Sequence, residues 1–199
     1  MMNEAATTLT DRRLTDEELI RNFQQGDERA YNEIVNRFSG PLLNFIYRII
    51  GDSAFAEDLL QETFIRVYQN KNSYREIAKF STWIYTIASN LSKTELRRQK
   101  VRRWFSLSGS KNDDRPMEIA NKDYTPDETM LQNSTLSLIH QEIQKLPISF
   151  KEVIILRDVQ ELSYEEISTI LNIPLGTVKS RVNRGRARLQ KTLKPMLRS

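Results

Sequence analysis

Between Ser163 and Leu189 the chain reads SYEEISTILNIPLGTVKSRVNRGRARL, and this stretch leaves little choice of fold. Ser163 followed three residues on by Glu166 is a capping box, in which a hydroxyl and a carboxylate satisfy orphan amides at a helix start. Ile167, Ile170 and Leu171 then give a short helix one apolar side. Asn172-Ile173-Pro174 interrupts it. Proline is tolerated only in the first turn of a helix, so Pro174 marks the start of the next one. That second helix carries Val178, Val182 and Leu189 on one line with Gly185 among them. Lys179, Arg181, Asn183, Arg184, Arg186 and Arg188 occupy the rest of its surface. No acidic residue follows Glu166. A short helix, a tight turn and a helix with a cationic outer face is the helix-turn-helix arrangement that reads DNA. Arginine and asparagine are the side chains that bind guanine and adenine edges bidentately.

Charge distribution supports a polyanion partner more than net charge does. The chain of 199 residues carries a formal charge of only +4, but its basic residues cluster at Arg97–Arg103 and Lys179–Arg198, on either side of an acid-richer middle. The absence of cysteine excludes disulfides and thiolate metal sites. His140 is the only histidine and falls among Leu136, Ile139 and Ile143, so it reads as structural. No His-based catalytic triad or metal cluster can then be assembled, and no cofactor is expected. No apolar run is long enough to cross a membrane and no signal peptide precedes Leu14, which predicts a soluble, cytoplasmic protein.

The rest of the chain reads as helices separated by capping and turn signals. Residues 1–13 are polar and aperiodic, a loose tail. Thr15 with Glu18 forms a second capping box and opens a helix through Leu19, Ile20 and Phe23. Asp27 caps a helix with Ala30, Tyr31, Ile34, Val35 and Phe38 at three-four spacing. Ser39-Gly40-Pro41 is expected to break it, with a separate helix over 42–50. Asp52 or Ser53 caps AFAEDLLQETFIRVYQN. Its apolar lines are Phe55, Leu59, Thr63 and Val67, and beside them Leu60, Phe64 and Tyr68; the remaining face shows Asp58, Gln61, Glu62 and Ile65. Stacked like charges at Asp58 and Glu62 cost an isolated helix roughly 0.2–0.5 kcal/mol. That is consistent with either a docking site for a basic partner or an ordinary wet face. After a loop over 70–79 that contains Tyr74, helix resumes at FSTWIYTIASNLSKTELRRQKVRR. Phe80, Trp83, Ile84, Ile87, Ala88 and Leu91 are assigned to its core side, and Tyr85, Asn90 and Lys93 elsewhere. Aromatic and amide groups upstream of a basic run suit single-stranded nucleic acid, where rings stack on bases and cations follow phosphates.

From 105 to 133 the sequence turns polar, with Gly109, Pro116 and Pro126, too long for a loop inside one compact domain. The expected fold is all-α, with two small helical domains, 14–104 and 134–199, joined by a flexible linker. In the second, Leu136, Ile139, Ile143 and Leu146 form a helix that Pro147 ends. Ser149 with Glu152 is expected to cap FKEVIILRDVQ, burying Val153, Ile154 and Leu156.

Four of these stretches in this order, AEDLLQETF, KFSTWIYTIASN, LPISFKEVIIL and SYEEISTILNIPLGTVKSRVNRGRARL, resemble bacterial sigma factors of the sigma-70 family, in the extracytoplasmic-function group. The resemblance covers nearly the whole chain except the tail and linker. It implies sigma region 2 in the first domain and region 4 in the second. Asp58, Gln61, Glu62 and Ile65 then correspond to positions that grip the coiled coil of the largest subunit of core RNA polymerase, and the flap of the second-largest subunit is a further expected contact. Tyr74, Lys79, Phe80, Trp83 and Asn90 correspond to the pocket that captures a flipped base of the promoter −10 element, a step that costs a few kcal/mol of unstacking. Arg97, Arg98 and Arg102, with Lys100 and Arg103, correspond to phosphate contacts beside it. Thr177, Lys179, Ser180, Arg181, Asn183, Arg184 and Arg188 correspond to the −35-reading set. An anti-sigma factor is a further expected partner.

The chain departs from the family pattern twice. Thr86 and Ile87 stand where the primary bacterial factor has tandem tryptophans, so melting should lean more on base capture. Asn183 stands where many members carry an aromatic ring, which bears on −35 preference. Two other readings compete. A stand-alone helix-turn-helix regulator would not need the AEDLLQE face. An enzyme built on Asp58 and Glu62 would lack a histidine, a metal cluster and a glycine-rich phosphate loop.

Overall fold

The computed structural model describes residues 13–109 and 134–196. The expected tail, except Arg13, and most of the expected linker lie outside the described residues. Among those described there are helices and no strand. α1 (Asp16–Gln24), α2 (Glu28–Ile50), α3 (Ser53–Gln69) and α4 (Phe80–Gly109) form the first unit. α5 (Ser134–Gln144), α6 (Ile148–Ile154), α7 (Tyr164–Leu171) and α8 (Leu175–Met196) form the second. A single 3-10 turn, Lys71–Ser73, lies between α3 and α4.

Local capping chemistry sets most of the helix starts. Both capping boxes form: Thr15 with Glu18 opens α1, and Ser163 with Glu166 opens α7. The carboxylates of Asp27 and Asp52 accept the backbone N–H of Arg29 and Phe55 at the starts of α2 and α3. Gly51 ends α2 in the left-handed region at φ 80°, a conformation that favours glycine. Asn172 ends α7 in the same way at φ 51°.

The expected break at Ser39-Gly40-Pro41 does not occur, because α2 runs unbroken through Pro41. A proline inside a helix costs about 3 kcal/mol or more. Phe38, Leu42, Phe45, Ile46 and Ile49 are all buried along one side, before and after the proline. At roughly 1.5–3 kcal/mol per buried large apolar side chain, that stripe outweighs the proline, which points to solvent with Gly40. α4 likewise runs beyond Trp104 to Gly109.

The second departure is at α6. No Ser149–Glu152 box forms; the helix starts behind Pro147 without a side-chain cap. Glu152 turns inward instead, 3.2 Å from Ser89 Oγ and 3.3 Å from Lys93 Nζ on α4. α6 continues as a widened π turn, Ile155–Val159, where the N–H of Gln160 donates to the carbonyl of Ile155 at 2.9 Å.

The two units pack against each other. Arg48 and Tyr47 of α2 meet His140 of α5: Arg48 Nη1 lies 3.1 Å from His140 Nδ1, and the His140 and Tyr47 rings stack with centroids 5.5 Å apart. Tyr85, expected off the core, is buried between the units; it packs edge-on to Phe45, and its hydroxyl donates to Gln160 Oε1 at 2.6 Å. His140 is structural, as its surroundings in the sequence implied. Burial, with Arg48 and Lys151 nearby, holds its imidazole below the ordinary value.

Candidate nucleic-acid interface

Three surfaces collect the residues singled out in the sequence. The first is the outer face of α3. Asp58, Gln61 and Ile65 are exposed there, while Ala56, Thr63, Phe64 and Val67 on the other side are buried. Glu62 accepts from Arg66 Nε one turn later at 2.8 Å. Such a solvent-exposed pair contributes little and yields readily to a stronger partner. Phe55 and Tyr68, expected in the apolar lines, lie at their margins and are exposed.

The second surface is the loop between α3 and α4. Tyr74 is buried at its centre. Its hydroxyl donates to the carbonyl of Ala78 at 2.8 Å, and its ring meets those of Phe80 and Trp83 at 5.6 and 5.5 Å. Burial first, then Glu17 and Glu76, pushes its phenol up to about 12, so it stays a neutral donor. Phe80 is completely buried and packs edge-on against Phe38. Tyr74 and Phe80 therefore shape the loop from inside, and only Trp83 of the three is partly open. Helix α1 braces the loop from below. Gln24 Nε2 donates to the carbonyl of Lys71 at 2.8 Å, Arg21 pairs with Glu76 at 2.7 Å, and Glu17 accepts the N–H of Phe80 at 3.0 Å. Between α1 and the loop lies a cleft of about 230 Å³, lined by Glu17, Ile20, Arg21, Gln24, Tyr74, Arg75 and Glu76. Ile77 stands beside it, 93% exposed. Sequence reasoning missed Arg21, Gln24 and Ile77. The first two lie some fifty residues from Tyr74, and no local pattern links them to it.

Asn90 and the basic run lie farther along α4. Asn90, Arg97, Arg98 and Lys100 are exposed. Arg102 is partly engaged: it pairs with Glu95, and its guanidinium lies 5.6 Å from the Phe55 ring centroid. Trp104 and Phe105 follow, 65% and 63% exposed, stacked edge-on. The structure does not bring Asn90 to the loop cleft as one pocket; it sits on the helix beyond Trp83. Thr86, whose hydroxyl donates to the Thr82 carbonyl, and Ile87 are both half-buried.

The third surface is α8. Val178, Val182 and Gly185 face the core. Thr177, Ser180 and Arg184 fall on the opposite side at helical spacing. Arg184 Nη2 lies 3.2 Å from Ser180 Oγ, so the pair presents one donor-rich edge. Lys179, Asn183 and Arg188 are exposed and Arg181 half-buried. Arg188 lies 4.7 Å over the Phe150 ring. Arg186, on the cationic face by sequence, is held bidentately by Asp158 and serves packing. Gly185 makes the approach of α8 to α6 possible: a Cβ there would stand 2.9 Å from Ile154 Cγ1.

Among the described residues no group of histidine and carboxylate side chains is placed to hold a metal ion, and no helix is long and apolar enough to cross a membrane.

Comparison with known proteins gives one consistent result. The family model described as Sigma-70 region 2 matches residues 34–102, and that described as Sigma-70, region 4 matches residues 136–189. The ECF RNA polymerase sigma factor SigW of Bacillus subtilis is 36% identical over 179 residues, which is 89% of this chain and 96% of SigW. The RNA polymerase sigma-H factor of Pseudomonas aeruginosa is 35% identical over 189 residues, 92% of this chain and 96% of its own length. Two solved structures share the fold. The sigma factor RpoE in complex with the anti-sigma factor NepR from Bartonella quintana matches with TM-score 0.64 and 24% identity, covering 82% of this chain and 96% of that one. CnrH in complex with the cytosolic domain of CnrY matches with TM-score 0.67 and 20% identity, covering 90% and 97%.

Proposed function

We propose, for a chain that belongs to the extracytoplasmic-function group of the sigma-70 family, a division of labour between its two units. The chain is an RNA polymerase sigma factor that acts in transcription initiation. Residues 14–104 dock on core polymerase and take the −10 element, residues 134–199 take the −35 element, and 105–133 tether them. The chain itself does no covalent chemistry: it positions promoter DNA and helps open it, in the bacterial cytoplasm, while core polymerase makes RNA.

The carrying observation is the presence in one chain of an exposed acidic α3 face and a cationic helix-turn-helix. Asp58, Gln61, Glu62 and Ile65 form the polymerase-docking face; the exposure of Asp58, Gln61 and Ile65 around half-buried Glu62 on one side of α3 supports this. The cleft between α1 and the α3–α4 loop receives the flipped base. Trp83 and Lys79 border the loop, and Tyr74 and Phe80 hold its shape from the core. Asn90 and the Arg97, Arg98 and Arg102 run guide the adjoining strand. On α8, Arg184 and Asn183 read bases, and Thr177, Lys179, Ser180, Arg181 and Arg188 position the helix on phosphates. We extend to this chain the partner class named for RpoE, an anti-sigma factor.

Native electrophoresis with core polymerase and promoter DNA tests the reading. A promoter shift that requires polymerase supports it, and tight promoter binding by the free chain returns the stand-alone regulator. Glu62→Lys should abolish polymerase binding while circular dichroism stays helical. Retained binding removes the α3 face from the docking site.

A further inference from the structure

The cleft between α1 and the α3–α4 loop holds an unequal set of hydrogen-bonding groups. Its floor is formed by buried Ile20 and Tyr74 and half-buried Glu17 and Gln24, and its rim by exposed Arg21, Arg75 and Glu76. The donors of the floor are already engaged. The Tyr74 hydroxyl donates to the carbonyl of Ala78. The Gln24 amide donates to the carbonyls of Lys71 and Tyr74, 2.8 and 3.3 Å away. A carbonyl oxygen can only accept, so the amide nitrogen faces the loop and the amide oxygen faces away from it. On Glu17, Oε1 accepts the N–H of Phe80. Gln24 Oε1 and Glu17 Oε2 have no partner among the described residues. No side-chain nitrogen or oxygen sealed from solvent lacks a partner there, so both of these oxygens are open to solvent. The cations of the rim are held elsewhere: Arg21 pairs with Glu76, and Arg75 donates to the carbonyls of Asn72 and Tyr74.

A base that reaches this floor meets acceptors and must bring donors. Cytosine, adenine and guanine each carry an exocyclic amino group. Thymine carries none, and its ring oxygens would stand against the two open acceptors, leaving all of them unpaired. We propose that the cleft selects an amino-bearing base and excludes thymine, with Glu17 and Gln24 of α1 as the residues that set the choice. Both lie ahead of residues 34–102, which match region 2. The selectivity is thus built by a helix outside the matched segment, acting on a loop within it. This deepens the flipped-base reading above and rests on it.

The test uses the full-length chain with core polymerase on a promoter that the pair transcribes, its −10 region randomised, with the transcripts sequenced. The wild-type chain should show one −10 position at which thymine is depleted at least about tenfold against the preferred base. Synthetic templates in which the preferred base there lacks only its amino group (purine for adenine, 2-pyrimidinone for cytosine, hypoxanthine for guanine) should lose transcription as thymine does. Glu17→Gln keeps an oxygen for the Phe80 N–H and turns the open acceptor into a donor. It should raise thymine use at that one position by at least about tenfold and leave the preferences elsewhere as they were. Should Glu17→Gln lose its helical circular dichroism, Gln24→Met, which removes the other acceptor, replaces it and should relax the exclusion of thymine. Thymine used freely at every −10 position by the wild-type chain overturns the proposal. So does a folded Glu17→Gln chain that keeps wild-type preferences or loses activity equally on all sequences. Failure of the wild-type chain to give any promoter-dependent transcript would instead refute the two-site reading itself.

Discussion

Gly185 lies in the middle of α8, where glycine is normally a liability, and its replacement separates two opposing effects. Changing an interior helical glycine to alanine ordinarily stabilises by about 1 kcal/mol. Here the added methyl would lie 2.9 Å from Ile154 Cγ1, 3.1 Å from its Cδ1 and 3.6 Å from Phe150 Cβ. Ile154 is itself buried among Val153, Ile155 and Leu156, so it has little room to yield. Overpacking of this kind costs about 1–3 kcal/mol. Gly185→Ala should therefore be neutral to destabilising by about 2 kcal/mol, against the sign that helix propensity alone gives. Urea denaturation of the full-length chain reads the difference. The decisive control is the same substitution in an Ile154→Ala background. Ile154→Ala alone costs about 2–5 kcal/mol, but it removes the obstruction, so Gly185→Ala should then stabilise by about 1 kcal/mol. A gain of that size in the wild-type background, or additivity of the two changes, would show that α8 is not held against α6 by this close approach.

Other outcomes follow from the same structure. Pro41→Ala should raise stability by about 2 kcal/mol, because it relieves a helix-interior proline and gives up only the stiffness proline lends the unfolded chain; a loss would mean that α2 depends on the proline. As the only histidine, His140 gives a single imidazole titration by NMR. It should titrate below 6.5, through burial and then Arg48 and Lys151. Since the folded form favours the neutral ring, the stability it contributes is full above about pH 6.5 and is lost as pH falls through its folded value. His140→Gln should flatten that part of the stability profile, and an ordinary titration value would place the ring outside the interface. Arg184→Ala should weaken −35 recognition by roughly 1–3 kcal/mol if the side chain reads a base. An equal loss on every sequence, measured by competition with unrelated duplexes, would make it a phosphate contact instead.

What could be read from the sequence divides by the range of the interaction that decides it. Thr15 and Glu18, Asp27, Asp52, and Ser163 and Glu166 are capping signals settled within a turn, and each opens its helix where the residues indicate. The apolar phases of α7 and α8 were legible for the same reason. Pro41 and Glu152 misled because a partner far away in sequence outweighs the local preference. The buried stripe from Phe38 to Ile49 keeps α2 whole, and Lys93 and Ser89 draw Glu152 away from a helix start it could have capped. The loop cleft follows the same rule: Tyr74 and Trp83 announce themselves as aromatics, but the braces Arg21 and Gln24 have no local signature. Tyr85 and His140 show the consequence for the whole molecule. Each looks like a spare polar group on an amphipathic helix, yet Tyr85 is buried and His140 half-buried where each meets the other unit.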